Sequence, residues 1–198
     1  MLKFYFLILL TLTGALSQDN QLEVVRFNAE QEAWLNKDID KAIELLLPQA
    51  ESNKADAVTL YNVGYMYYLR GNNSKALNFL QKAITKDVKY PYAYLITAQI
   101  YKKTGNLLGA LTQLRRGLTA NSENYELLLE SGGIYHALGE TDQAEKIFLQ
   151  LIDSSEEKAA PRIALAKIYR GRQEYDKALQ ILDRKRFIEL PPAAFGLA

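Results

Sequence analysis

A repeat of 34 residues constrains this chain more than any other feature of its sequence. Small residues recur at this spacing, and they are Gly64, Ala98, Gly132 and Ala166. A tyrosine follows each of them three residues later, which gives Tyr67, Tyr101, Tyr135 and Tyr169. Three residues are about one helical turn, so the two members of each pair share a helix face. The small residue lets two helix backbones approach, and the ring fills the space beside that contact.

The same register continues into a second helix. Alanines recur there as Ala42, Ala76, Ala110, Ala144 and Ala178. Each is followed four residues later by a bulky side chain, namely Leu46, Leu80, Leu114, Phe148 and Leu182. Between the two helices, Gly71, Gly105 and Gly139 predict a left-handed C-cap that ends the first helix. The fifth copy has Gln173 at this position and Gly171 two residues earlier, which predicts a slightly different turn.

This pattern resembles the tetratricopeptide repeat family, whose unit is a helix-turn-helix with a small residue and Tyr in its first helix. The resemblance extends from Gln21 to Phe187. It implies an all-α fold, a right-handed α-solenoid of about five helix-turn-helix repeats, with copies near 21–54, 55–88, 89–122, 123–156 and 157–188. The first copy departs from the pattern, because Glu30 and Ala33 replace the small residue and the Tyr. A polar replacement is typical of a terminal repeat, and we expect Trp34 to cover the end of the core.

The N-terminus has the three parts of an export signal. Lys3 precedes an apolar run from Phe4 to Leu16, and Ala15-Leu16-Ser17 has the small-x-small pattern of a cleavage site. The run of about 13 residues is shorter than the roughly 20 that span a bilayer. We therefore predict a signal peptide over residues 1–17, cleavage near Ser17, and a periplasmic or extracellular mature chain with no stable membrane span. A buried N-terminal helix and an uncleaved anchor are the alternatives.

The composition argues against catalysis and against nucleic-acid binding. The chain has no cysteine and a single histidine, His136, so thiol chemistry and multi-histidine metal sites have no basis. Without Lys3, the basic residues number 23 and equal the 23 acidic ones, so a cationic footprint for phosphates is missing. No nucleophile–base pair or Gly-rich phosphate loop is evident. We therefore predict a non-enzymatic protein without cofactor or metal and without a nucleic-acid partner.

The resemblance also implies that the first helices line a concave groove. Helical spacing then selects the inward residues. They are Val58, Tyr61, Tyr65 and Tyr68 in the second copy, and Tyr92, Leu95, Gln99 and Lys102 in the third. The candidate groove residues are Tyr61, Tyr65, Tyr68, Tyr92, Gln99, Lys102, Lys103, His136, Lys167 and Arg170. This lining is aromatic toward its N-terminal half and basic toward its C-terminal half. It suits a peptide or protein partner with apolar or aromatic anchors at one end and acidic residues, or a C-terminal carboxylate, at the other.

Each element of this groove has an alternative interpretation. Tyr61 and Tyr65 could pack between neighbouring first helices, and the basic residues could form a solvated face. His136 could be a pH-sensitive contact. Some family members clamp acidic peptide tails with Lys, Asn and Arg. Asn62 is present here, but Leu95 and Ile96 are among the residues that replace the cations, which argues against a cytosolic chaperone-tail receptor.

Three further points stay open at the level of sequence. Tyrosines can stack on sugar rings, so a glycan or cell-wall binding module is the alternative to a protein scaffold, which could act in envelope assembly. The apolar tail, residues 189–198, could fold back on the last helix pair, form a homodimer contact, or begin a sixth copy. Asn72-Asn73-Ser74 meets the rule for glycosylation and lies in an exposed turn.

Overall fold

A computed structural model describes residues 38–154 and 159–182 of the chain. These residues form nine α-helices and no strand, connected by short turns. The helices are α1 (Ile39–Ala50), α2 (Ala57–Leu69), α3 (Asn73–Lys86), α4 (Pro91–Lys103), α5 (Leu107–Ala120), α6 (Tyr125–Ala137), α7 (Thr141–Ser154), α8 (Ala159–Gly171) and α9 (Tyr175–Leu182). The predicted signal peptide, the first helix of the first copy with Trp34, and the apolar tail lie outside the described residues.

The helices pack in sequential order within two compact units. The first unit ends at Ala83, and in it α1 packs on α2. The second unit begins at Ile84. There the hairpins α4–α5, α6–α7 and α8–α9 are joined by contacts of α5 with α6 and of α7 with α8. The all-α solenoid class of helix-turn-helix repeats is thereby confirmed. Across the two described stretches, every helix is too short or too polar to cross a membrane.

In the α2–α3 and α6–α7 hairpins, a small residue of the first helix packs against a bulky residue of the second. A Cβ added to Gly64 would lie 2.9 Å from Leu80 Cγ, and one added to Gly132 would lie 2.6 Å from Phe148 Cε1. Leu80 is fully buried and Phe148 is 2% exposed. Neither side chain therefore has room to move away. In these two hairpins, the structure therefore confirms that the small residue of the first helix packs against the bulky residue of the second, as the 34-residue register predicts.

The turns between paired helices are Schellman caps. Gly71, Gly105 and Gly139 have φ angles of 80°, 80° and 81°. At Gly139, its own N–H donates to the carbonyl of His136 at 3.0 Å and the next N–H donates to Tyr135 at 2.9 Å, which satisfies the last helical carbonyls. Gln173 has a φ of 62° and makes the corresponding bonds to Arg170 and Tyr169. The prediction of a different fifth turn was wrong, because the packing of α8 on α9 requires the same cap whichever residue supplies it.

This cap yields a matched pair of stability predictions. A left-handed conformation costs a residue with a Cβ about 1–2 kcal/mol, so we expect Gln173→Gly to raise the free energy of unfolding by about 0.5–1 kcal/mol after the entropic penalty of glycine is subtracted. The converse change, Gly105→Ala, should lower it by about 1 kcal/mol, since the space beside Gly105 is open and only the backbone is strained. Urea unfolding followed by circular dichroism measures both. Equal effects of the same sign would contradict this account.

Candidate peptide-binding surface

The tyrosines of α2 form a ladder of parallel rings. The ring centroids of Tyr61 and Tyr65 are 5.9 Å apart with planes 5° apart, and those of Tyr65 and Tyr68 are 6.1 Å apart with planes 26° apart. All three side chains are partly exposed, whereas Val63 and Tyr67 on the other side of the helix are buried. Asp56 caps this helix by accepting the Thr59 N–H at 2.7 Å. The ladder therefore combines accessible aromatic surface with a fixed backbone.

In the second unit, α4 begins the other part of the predicted surface. Tyr92 is 49% exposed, and its ring meets that of Tyr90 edge-on at 5.5 Å. Gln99, about two turns further along α4, is partly exposed. Leu95 is only 8% exposed, so its predicted place on the inner stripe is wrong, because it packs in the core instead. Tyr90 was missed by the sequence argument, since it precedes the helix and has no helical register.

Two side-chain hydrogen bonds hold the loop before α4. The hydroxyl of Tyr94 donates to the carbonyl of Val88 at 3.1 Å, and Nδ2 of Asn121 donates to the carbonyl of Lys89 at 2.9 Å. Pro91 occupies the first turn of α4, where its ring suits the helical φ. Tyr92 therefore follows a loop that is held by two side-chain hydrogen bonds.

The polar residues of the predicted surface lie on α4, α6 and α8. Lys102, Lys103, His136, Lys167 and Arg170 are all exposed. Within this unit α4 contacts α6 and α6 contacts α8, so the three helices that carry these side chains are neighbours. This arrangement gathers the basic residues of the candidate site on successive first helices.

Lys102 pairs with an acidic side chain of the neighbouring first helix. The Nζ of Lys102 lies 3.3 Å from Oε2 of Glu130, and this ion pair joins α4 to α6. Both side chains are substantially exposed, so the pair contributes little to stability and can exchange partners. Glu130 was not identified from the sequence. Its carboxylate reduces the positive charge of the surface next to Lys102. Lys167 and Arg170 lie on a different helix, α8.

A separate polar network joins α7, α8 and the turn that follows. The hydroxyl of Tyr169 donates to Oε1 of Glu145 at 2.8 Å, and Arg172 bridges Oε2 of Glu145 at 2.5 Å and Oδ1 of Asp142 at 2.6 Å. Burial alone raises the pKa of Glu145, but the hydrogen bonds from Arg172 and Tyr169 and the nearby positive charges outweigh it and lower that pKa. Burial, together with the bond to Glu145, raises the pKa of Tyr169 to about 12.

Sequence reasoning did not predict this network, although a signal for it exists. Asp142 and Arg172 are 30 residues apart, and the same spacing separates Asp40 from Arg70, whose side chains meet at 2.7 Å. Such a pair recurs at equivalent register positions and could have been read from the repeat. In both cases the pair joins a second helix to the residue that ends the following first helix or to the turn after it.

The described surface carries aromatic rings, an amide and exposed cations. Among the residues that the structure describes, no three His, Cys, Asp or Glu side chains are grouped to hold a metal ion. Asn72, the first residue of the glycosylation motif, is exposed and caps α3 by accepting the Lys75 N–H at 3.1 Å.

These features define a helix-turn-helix repeat protein in which three neighbouring first helices of the second unit, α4, α6 and α8, carry exposed side chains. Family models described as "Tetratricopeptide repeat" match residues 57–86, 127–161 and 162–185. These three stretches therefore have the sequence of tetratricopeptide repeats.

Known structures agree on the fold. A tetratricopeptide repeat protein from Parabacteroides merdae superposes with a TM-score of 0.70 at 22% identity, over 82% of this chain and 65% of that one. A crystal structure of MamA superposes with a TM-score of 0.67 at 20% identity, over 77% of this chain and 89% of that one. At these identities the likeness concerns the fold alone.

Two curated relatives are similar in sequence. Lipopolysaccharide assembly protein B of Escherichia coli strain K12 is 25% identical over 143 residues, which are 68% of this chain and 37% of that protein. Anaphase-promoting complex subunit 3 of Schizosaccharomyces pombe is 25% identical over 118 residues, 60% of this chain and 18% of that protein. The chain thus spans well under half the length of these relatives.

Proposed function

We propose that this chain is a non-enzymatic scaffold that binds a peptide or protein partner along the exposed face of its first helices. The observation that carries the proposal is the set of exposed side chains on α4, α6 and α8, three first helices that contact one another in sequence. Tetratricopeptide repeats imply a protein partner, and a row of neighbouring helices offers an extended surface for one.

The side chains on this face favour a partner with an acidic segment. Lys103, Lys167 and Arg170 are exposed cations, and a carboxylate reaching Lys102 would compete with Glu130 for its ammonium. Charge-assisted bonds to a carboxylate are about twice as strong as neutral ones. Tyr92, half exposed at the start of α4, supplies an aromatic contact with few rotatable bonds to immobilise. The proposed ligand is an extended segment with an aromatic or apolar anchor and acidic residues.

We further propose that the chain acts after export, in assembly of the cell envelope. The charged start, the apolar run and Ala15-Leu16-Ser17 support export. The similarity to a bacterial lipopolysaccharide assembly protein supports an envelope setting. A glycan or cell-wall ligand is the second candidate, favoured by the parallel rings of Tyr61, Tyr65 and Tyr68, which sugars could contact.

Charge reversal on the first helices tests the proposed face. In a Lys103→Glu, Lys167→Glu, Arg170→Glu variant, we expect binding of the partner to weaken by roughly tenfold or more, because each exposed charge contact contributes about 0.2–1 kcal/mol and reversal adds repulsion. The matched control is Arg115→Glu, Arg116→Glu on α5, a second helix, where both side chains are exposed. Partner capture from the envelope fraction, quantified by mass spectrometry, measures the loss.

The outcomes separate the candidates. Equal capture by the variant and the wild type would remove the first-helix face from consideration. Shifts of tyrosine ring resonances with soluble glycan fragments, and none with captured peptides, would favour the glycan module. The export step is measured on the same sample, where the intact mass should lack residues 1–17. A full-length mass in the envelope fraction would contradict signal cleavage.

A further inference from the structure

The last described helix, α9, leaves an apolar and acidic face open. Tyr175 and Leu179 are each 60% exposed, and Asp176 is exposed beside them. Positions 175, 176 and 179 lie on one side of α9, within its first turn and a half. Single exposed leucines are common and need no explanation. We therefore compare these positions with the equivalent positions of the preceding copies to ask whether the face is a binding site.

In the preceding copies the position of Leu179 receives the following first helix. Steps of 34 residues lead from Leu179 to Glu145, Leu111 and, two copies further back, Ile43. Glu145 accepts the hydroxyl of Tyr169 on α8, and Leu111 and Ile43 are each only 6% exposed. Leu179 therefore stands at a position that bonds the tyrosine of the following first helix in α7 and that is buried in α1 and α5.

The position of Asp176 has an equally specific counterpart. It is in register with Asp142 and with Asp40. Asp142 pairs with Arg172 at 2.6 Å, and Asp40 pairs with Arg70 at 2.7 Å. In both cases the arginine follows a buried tyrosine by three residues, as Tyr169 and Arg172 or as Tyr67 and Arg70. A second helix with Asp at this position thus receives a helix that carries Tyr and Arg three residues apart.

We propose that the open face of α9 is a docking site for a helix of a partner protein that carries an aromatic residue and an arginine three residues apart. Asp176 and Leu179 repeat the combination of Asp40 and Ile43, an acid followed three residues later by an aliphatic side chain. The aromatic side chain of the partner packs on Leu179 and its arginine pairs with Asp176. This surface is distinct from the first-helix face and does not depend on it.

Charge complementarity favours a partner over the other occupants. Residues 189–198 contain no basic residue, and the cations at 184–186 follow no aromatic residue by three positions, so the segment after α9 lacks the required pair. Tyr-x-x-Arg occurs twice in the whole sequence, at Tyr67 and at Tyr169. Both arginines already pair within the chain, as described above, so a second copy has no unengaged set to offer.

The test is a titration of the isotope-labelled full chain with a synthetic peptide that has the sequence of residues 55–88 and so supplies Tyr67 and Arg70. We expect amide shifts centred on α9. Leu179→Ala should weaken binding roughly tenfold, since burial of the leucine is lost. Leu108→Ala is the matched control, because Leu108 is 67% exposed on α5, and it should leave the affinity unchanged.

Charge exchange protects the test against a folding defect. Asp176→Arg should weaken binding of the peptide about twofold to fivefold, and an Arg70→Asp peptide should recover it. Shifts centred away from α9, or no recovery, would overturn the proposal. It would also be overturned if deletion of residues 183–198 moved the α9 amides without peptide, which assigns the face to the chain's own C-terminal segment. Self-association of the free chain through Leu179 would assign the face to a second copy and would overturn the proposal as well.

Discussion

Gly132→Ala is expected to destabilise the protein by about 1–3 kcal/mol, although alanine is the better helix former. The added Cβ would lie 2.6 Å from Cε1 and 2.8 Å from Cζ of Phe148. Phe148 is 2% exposed and belongs to a cluster with Leu151, Leu165 and Ile168, so its ring cannot swing away. The free energy of unfolding from urea titration measures the effect.

The neighbouring glycine and the repeat itself supply the controls. Gly133→Ala places its Cβ in open space and should stabilise by about 0.5–1 kcal/mol. Gly132→Ala with Phe148→Leu recreates the pair found in the third copy, Ala98 with Leu114, and should recover part of the loss. If Gly132→Ala and Gly133→Ala had the same effect, close helix approach at Gly132 would not be the cause.

Glu145→Ala should cost about 1.5–3 kcal/mol, because it removes a charged acceptor shared by Tyr169 and Arg172. Glu145→Leu restores the residue type found at the same position as Leu77 and Leu111, so it should lose less. Lys146→Ala, an exposed neighbour on α7, is the control and should change little. Thermal and urea unfolding of the three variants measure these differences, and equal losses for Glu145→Ala and Lys146→Ala would contradict the network.

The same network has a defined pH dependence. The pKa of Glu145 is lower in the folded chain than its ordinary 4.5, so its contribution is complete above that pH and is lost as the pH falls through the folded pKa. The pKa of Tyr169 rises from 10.0 to about 12, so its contribution is complete below pH 10 and is lost as the pH rises from 10 to 12. Unfolding midpoints of wild type and Glu145→Gln should therefore differ most between pH 5 and 10 and converge at acid pH.

The helices and their pairing could be predicted because the information is local and repeated. Gly64 with Leu80 and Gly132 with Phe148 are separated by 16 residues, within one hairpin, so a fixed register reveals both partners. The candidate surface was predictable only in part. Helical spacing identified Tyr92 and Lys102 as accessible, whereas it placed Leu95 on the surface and the structure places it in the core.

The sequence by itself determined the repeat period, the small and bulky partners within each hairpin, and the glycine caps, since each depends on residues close in the chain. Tertiary structure decided the rest. Lys102 meets Glu130, and Arg172 meets Asp142, only because successive hairpins stack, which brings together side chains 28 and 30 residues apart. Gln173 adopts a left-handed conformation against its own preference because two packed helices require that turn, and their packing outweighs a local strain of about 1–2 kcal/mol.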